Sequence, residues 1–542
     1  MPELSKKADV IFRRLGDRGV LLLLFLAGVA AHSVFAAHMK PLSVYPDEFG
    51  TAAWTALFTG GEGGGGVISQ IDRYYGWLGS VIYAPVMFII KSPSAQYKAM
   101  LIINGAVVSL IPVIAYKISK RFGVKKAWMR VLTAAVCGMY PAVFAHSKFI
   151  WNETFCIIFP WLTAFVILTA CDAKKRVFKH LLSVLAALTI CASVCAHPRL
   201  LSSAAAGVAA ILFARFFLKK KIVFLSSFIP AAVVFSAGSF LLTRRLVSLM
   251  WGDGAALRNT LSDLAPIFKT LLSGGAEPWV RLLRTLAGHL YYFAASTWGL
   301  GILGVVFFFS AVTTYLPAAG TGKPTALPNA NERFLIFSAF AFVSALLDGA
   351  VSVLFKFDAD RQSQYQDTVI FGRYVDGAIP LILLTVMCYV FLYGPDLRKL
   401  LGGVVALGGV YAAFFLMSAR TIVNAENVNV SSILGMHPLR IGEKIDALIT
   451  MDGLFLTVSA VFSLMALFIV FVCCSKRYCV HIISLSITVI AVYSCAYTAF
   501  AYLPFALRET QAANAPVYEV SQYVYNSEDA PPLFALDVPG RT

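Results

Sequence analysis

"YYGWLGSVIYAPVMFII", residues 74–90, is apolar enough to cross a membrane, and whether it crosses decides on which side every later loop lies. Read as a span, it puts the basic segment "KISKRFGVKKAWMR" (117–130) on the same side as the acid pair Asp47 and Glu48. Read as lying in the interface, it leaves acids and bases on opposite sides. Short loops rich in Lys and Arg stay cytoplasmic. The interfacial reading follows, with Tyr74, Tyr75 and Trp77 as rings that anchor a segment at headgroup depth.

Composition agrees with a membrane chain. Of 542 residues, 59% are hydrophobic and only 13% charged, with mean hydropathy +0.76, outside the range of soluble globular domains. The first apolar run, "GVLLLLFLAGVAAHSVFAAHM" (19–39), follows Lys6, Lys7, Arg13, Arg14 and Arg18. Because such runs continue to the end of the chain, it is read as a retained span and not as a cleaved signal. Further spans are expected near 98–116, 130–147, 154–171, 181–197, 200–217, 222–242, 287–314, 334–355, 375–393, 400–418, 451–474 and 480–503. The expected fold is an all-α polytopic membrane bundle of about 13 spans, with interfacial juxtamembrane helices in the first outer loop.

With the amino terminus cytoplasmic, the inner segments gather more than half of the Lys and Arg and fewer than a quarter of the acids. The net charge of +17 is thus a topology signal, and it implies no nucleic-acid partner, because the basic clusters are scattered over loop ends. The organisation expected is an amino-terminal catalytic bundle (1–314) with outer loops 40–97 and 243–286, and a cytoplasmic hinge (315–333) rich in Pro, Gly and Ala. A carboxy-terminal bundle (334–503) and an outer-face tail (504–542) complete it. Most of the ten cysteines lie in or beside apolar runs and read as packing residues.

The first outer loop holds the chemistry. "PDEFGTAAWTALF" (46–58) reads as a short helix that places Asp47 and Glu48 where the first span ends. Asp47 could simply cap that helix, but capping needs one acid and no membrane edge, and an ionisable group at this depth is a functional candidate. "TGGEGGGG" (59–66) lacks the Gly-Lys-Ser/Thr ending of a phosphate loop and reads as a linker. Asp72, Arg73 and Tyr74 follow it, Glu153 stands in "HSKFIWNETF", and His197 and Arg199 stand in "CAHPRLL"; these six are candidate acceptor or sugar contacts.

Taken in order, "YPDEFG", the interfacial segment before the second span, "HSKFIWNETF" and "FGRYVDGAIP" (371–380) resemble the polytopic glycosyltransferases of the C superfamily. That family includes protein O-mannosyltransferases and lipid A aminoarabinose transferases, which use polyprenyl-phosphate sugars. The resemblance implies a site facing away from the cytoplasm, with Asp47 at the catalytic acid and Arg373 at the arginine that engages the lipid phosphate. Partners implied are a polyprenyl-phosphate sugar donor, a glycan, lipid or protein acceptor, and the bilayer. It implies no obligatory cofactor or metal, although some relatives with paired acids bind a divalent cation.

The residue types suit that reaction. Transfer to an acceptor hydroxyl, with inversion, needs a carboxylate to take its proton, the role of Asp47, with Glu48 orienting acceptor or donor sugar. The departing phosphate needs cationic donors: Arg373 first, assisted by Lys356, Arg361 and Tyr374. The alternatives are a flippase or transporter of lipid-linked glycans and an outward-facing polymerase or ligase. The first would carry charge at mid-membrane, where only Asp348 is found, and the second would rest on arginines and a histidine in a late outer loop.

Overall fold

In hydrocarbon every backbone N–H and C=O needs an internal partner, so an apolar chain of this kind folds as helices. The computed structural model describes residues 2–34, 36–39, 46–60, 76–251, 264–320, 329–357, 368–394, 397–423, 428–429, 432–439, 448–449, 453–474, 479–502 and 504. Among them eight helices are long and apolar enough to cross a membrane: Lys7–Ser33, Pro93–Arg121, Glu153–Asp172, Arg176–Ala196, Pro198–Phe216, Leu225–Leu249, Ala330–Lys356 and Leu397–Met417. A bent pair, Ala276–Ser296 and Leu300–Tyr315, makes a ninth if counted as one. One two-residue strand pair, Val428–Asn429 against Leu448–Ile449, interrupts an otherwise all-α architecture among the described residues.

The expected count of thirteen is not reached by that measure, and the differences have local causes. Residues 287–314 are not one straight helix, because the chain turns by 97° between Ser296 and Leu300. Trp298 (φ 54°) and Gly299 (φ 79°) are both left-handed, and Gly299 N–H bonds back to Ala294 O at 2.8 Å, which ends the first helix. The expected span 130–147 divides into Ala127–Gly138 and Pro141–His146, where Pro141 opens a new helix. The span at 375–393 is trimmed to Ile379–Tyr393, and the last two fall on Gly453–Cys474 and Cys479–Tyr497. In the loop read as 243–286, the helix Leu225–Trp251 runs on past residue 243 and Leu264–Ser273 follows. Of the tail, only Pro504 is described.

Within the segment at 74–90 the described residues form the helix Leu78–Ile89, whose 12 residues rise about 18 Å, too little to cross ~30 Å of hydrocarbon. It packs instead along the helix Pro46–Phe58, where Ser80 Oγ donates to Thr51 O at 2.9 Å. Gly76 (φ 92°) fixes its entry: a Cβ there would overlap the Ala196 carbonyl, and Trp77 N donates to Cys195 O at 3.0 Å. Ala53 and Trp54 of the first-loop helix close against Leu246 and Val247 with Trp77 beside them. The two short helices are thereby pinned on the long ones.

Behind them the core is continuous. The helix Leu201–Phe216 lies on Asn329–Lys356, Arg176–Ala196 lies on Leu225–Trp251 and Glu153–Asp172, and Leu300–Gly320 lies on Ile379–Tyr393. The outward faces of Arg176–Ala196 and Leu225–Trp251 expose Val177, Leu181, Val233 and Val234, an apolar surface suited to lipid. Cys137, Cys156, Cys171, Cys191, Cys195, Cys388 and Cys495 are free thiols.

Candidate functional site

Two acidic and two basic side chains from four separate segments meet at one end of the bundle. Asp47 stands in the first turn of Pro46–Phe58, Glu153 opens Glu153–Asp172, Arg199 lies in the tight turn Pro198–Leu200, and Arg373 lies in the connection that precedes Ile379–Tyr393. Arg373 Nε donates to Glu153 Oε1 at 2.6 Å, while its Nη2 pairs with the same oxygen and with Asp47 Oδ2. Arg199 Nη1 reaches Glu153 Oε1 at 3.3 Å. The capping alternative for Asp47 gives way: the carboxylate goes to Arg373. Asn152, which could have capped Glu153–Asp172, makes no side-chain cap and instead donates to Gly76 O at 3.2 Å.

The cluster is sunk without being sealed. Side-chain exposure is 14% for Asp47 and 17% for Arg373 but 3% for Glu153, so the Asp47–Arg373 pair forms the open edge and Glu153 the floor. The Arg373 guanidinium lies over the Trp151 ring, 4.6 Å from its centroid, and Arg199 lies over Tyr374 at 5.0 Å. These faces leave the in-plane N–H groups directed at oxygens.

His197 ends the preceding helix in extended backbone, and its Nδ1 accepts from Arg199 N at 3.1 Å. Burial, together with the Arg199 and Arg373 charges, holds this imidazole well below its ordinary pKa despite Asp47 nearby, so it is neutral at physiological pH. Burial works to lower the Arg373 pKa, but Glu153 and Asp47 more than offset it and hold it well above its ordinary value.

The first-loop acids point in opposite directions. Glu48 is fully buried, and its Oε1 accepts from Tyr97 Oη at 2.7 Å and from the Ile150 amide at 2.9 Å. It ties the first-loop helix to the segment that carries Trp151 and Glu153. Lys356 lies over the Phe371 ring, 4.0 Å from its centroid. Asp72, Arg73, Tyr74 and Arg361 lie outside the described residues.

Sequence reasoning passed over Trp151, Asp376 and Tyr292, and treated His146 as a lone histidine. Asp376 is buried three residues beyond Arg373; it accepts from Tyr292 Oη at 2.7 Å and Tyr140 Oη at 3.4 Å and lies 3.3 Å from His146 Nε2. The signal was present in "FGRYVDGAIP", where an acid sits beside the arginine at a helix entrance.

Two carboxylates and two guanidinium groups make a locally neutral set. Of the two carboxylates on Arg373, Asp47, at the open edge, is the one placed to yield to an incoming anion. Both carboxylates are already matched to guanidinium groups, and among the described residues no group of three or more His, Cys, Asp and Glu side chains could hold a metal. Among the described residues this set does not form a divalent-cation cage.

No family model and no curated protein matches the chain. Among solved structures it is similar to ArnT from Cupriavidus metallidurans bound to undecaprenyl phosphate, at 14% identity and TM-score 0.45, covering 95% of this chain and 84% of that one. An oligosaccharyltransferase from Archaeoglobus fulgidus, crystallised with Zn and sulfate, pairs at 13% identity and TM-score 0.35, covering 74% of this chain and 53% of that one.

Proposed function

We propose that the protein is an integral membrane glycosyltransferase that moves a sugar from a polyprenyl-phosphate donor to an acceptor hydroxyl. The observation that carries this reading is the contact between Asp47 and Arg373, an acid and a phosphate-type cation at the open edge of a buried charge cluster in a polytopic bundle. The excess of Lys and Arg in the opposite loops supports an extracytoplasmic position for this face. A lipid-borne donor explains the depth, because its reactive phosphate sits where the acyl region meets the headgroups.

Donor phosphate oxygens take the forked N–H groups of Arg373, and Asp47 is released toward the acceptor. Asp47 then removes the hydroxyl proton as the acceptor oxygen bonds to the anomeric carbon from the face opposite the phosphate. The bond from that carbon to the phosphate oxygen breaks, and its electron pair leaves with polyprenyl phosphate. One bond forms and one breaks, the anomeric configuration inverts, and the proton rests on Asp47. Arg373, with Arg199 behind it through Glu153, stabilises the charge that develops on the leaving phosphate.

The test is transfer of labelled sugar from a panel of polyprenyl-phosphate sugars by purified protein in lipid, with Asp47→Asn and Arg373→Ala beside wild type. Consumption of one donor by wild type, lost in both folded variants, supports the reading. If no donor is consumed while lipid-linked glycans bind or cross the bilayer, transport replaces it.

A further inference from the structure

We infer that Asp376 and His146 are positioning residues that hold the Arg373 loop in its phosphate-facing conformation. The inference deepens the proposed function and rests on it in one arm of its test only.

The Arg373 loop has little regular structure of its own. Between Thr368 and Ala378 its backbone makes turn bonds, Val375 N to Gly372 O at 2.9 Å and Asp376 N to Gly372 O at 3.0 Å. Turns of this kind open at small cost unless something outside fixes them. Two things do. Gly372 lies against the Tyr292 ring so closely that a Cβ would overlap it, and its N–H donates to Ser432 O at 2.6 Å. On the other side of Arg373, Asp376 is clamped by Tyr292 of Ala276–Ser296 and by Tyr140 and His146 at the two ends of Pro141–His146. The guanidinium is thus carried by a loop fixed one residue before it and three residues after it.

His146 joins this clamp to the guanidinium by a second route. Its Nε2 lies 3.3 Å from Asp376 Oδ2, and its Nδ1 has no hydrogen-bond partner among the described residues, so the ring proton sits on Nε2 and is donated to the carboxylate. Its ring packs on Trp151 at 5.1 Å between centroids, its backbone oxygen accepts from Trp151 Nε1 at 3.0 Å, and Trp151 is the face on which Arg373 lies. Asp376 therefore controls Arg373 through the backbone, and His146 through the ring beneath it. Neither is a catalytic residue, since both are about 1% exposed and no substrate atom reaches them.

Asp376→Ala, His146→Ala and His146→Gln test this in protein embedded in lipid. Gln is chosen because its amide nitrogen can occupy the position of Nε2 and keep the donation to Asp376. The first readout is amide hydrogen exchange across Gly372–Ala378, which needs no substrate; the second is binding of polyprenyl phosphate, read apart from turnover at saturating donor. Both Ala variants are expected to speed exchange in this loop at least tenfold, with the membrane helices unchanged, and to weaken polyprenyl-phosphate binding about tenfold with turnover at saturation within about threefold. His146→Gln should return both readouts to near wild type. Unchanged exchange in the Ala variants, or Gln as damaging as Ala, overturns the inference. If Asp376→Ala does not fold, the His146 pair decides. Failure of wild type to bind polyprenyl phosphate would sink the proposed function and leave the exchange arm to judge the positioning role.

Discussion

Arg373 Nε donates to Glu153 Oε1 at 2.6 Å, and the two residues stand 220 positions apart in the chain. The same guanidinium also holds Asp47, so one cation links the entrance of the first-loop helix to the entrance of Glu153–Asp172. Glu153 is the more buried partner, so under the proposed function an incoming phosphate would displace Asp47 first, and the acid proposed as base would be the one that phosphate binding releases.

Asp47→Asn separates competition from catalysis. Removing the base should lower sugar transfer by about two to four orders of magnitude. Because the amide no longer competes for Arg373, affinity for polyprenyl phosphate should rise several-fold, read by titration of the lipid phosphate into folded variant and wild type. Weaker binding in the variant would mean that Asp47 helps hold the ligand.

Arg373→Lys is not a conservative change here. An ammonium is a point charge without the planar fork, and it cannot serve Glu153, Asp47 and the Trp151 face together. Donor affinity should fall at least tenfold. Arg373→Ala, which leaves a buried Glu153 with Arg199 alone, should also cost about 3 kcal/mol of stability, visible as a lower melting temperature. Full donor affinity in the Lys variant would show that charge without geometry suffices.

Glu48 should behave as a structural acid. Glu48→Ala removes the acceptor shared by the Ile150 amide and the Tyr97 hydroxyl and should cost about 1–3 kcal/mol, whereas Glu48→Gln keeps an oxygen for both and should cost less. Donor binding per folded molecule should change little in the Gln variant. A stable Glu48→Gln protein without turnover would instead place Glu48 in the chemistry.

Hydropathy and loop charge made the all-helical membrane class and the short interfacial helix legible, because both follow from desolvation and from the bias of short basic loops. The convergence of Asp47, Glu153, Arg199 and Arg373 was partly legible, since each sits at a helix end beside an apolar run. Which of two adjacent acids turns outward was not, because that depends on the roll of Pro46–Phe58, set by Leu246, Val247 and Ser80 far away in sequence. The break at Trp298 was equally hidden, since a tryptophan in left-handed backbone leaves no pattern in hydropathy. Asp376 was overlooked for a similar reason: its partners Tyr140, His146 and Tyr292 come from distant segments.

Lys148 supplies a pH-dependent prediction. It is 1% exposed, donates to the His32 carbonyl at the end of the first helix, and lies over the Phe144 ring at 4.3 Å. Burial pushes its ammonium down from 10.5 to about 7. For a base depressed in this way the unfolded chain binds more protons than the folded one between about pH 7 and 10.5. Stability should therefore rise with pH across that window, and the cost of burying the charge is fully present below about 7. Lys148→Met removes the titrating group. Its advantage over wild type should be on the order of a few kcal/mol near pH 6 and should shrink as pH rises toward 10. Thermal unfolding of both proteins in the same lipid at pH 6, 8 and 10 measures this; parallel curves would mean that Lys148 keeps an ordinary pKa in the folded protein.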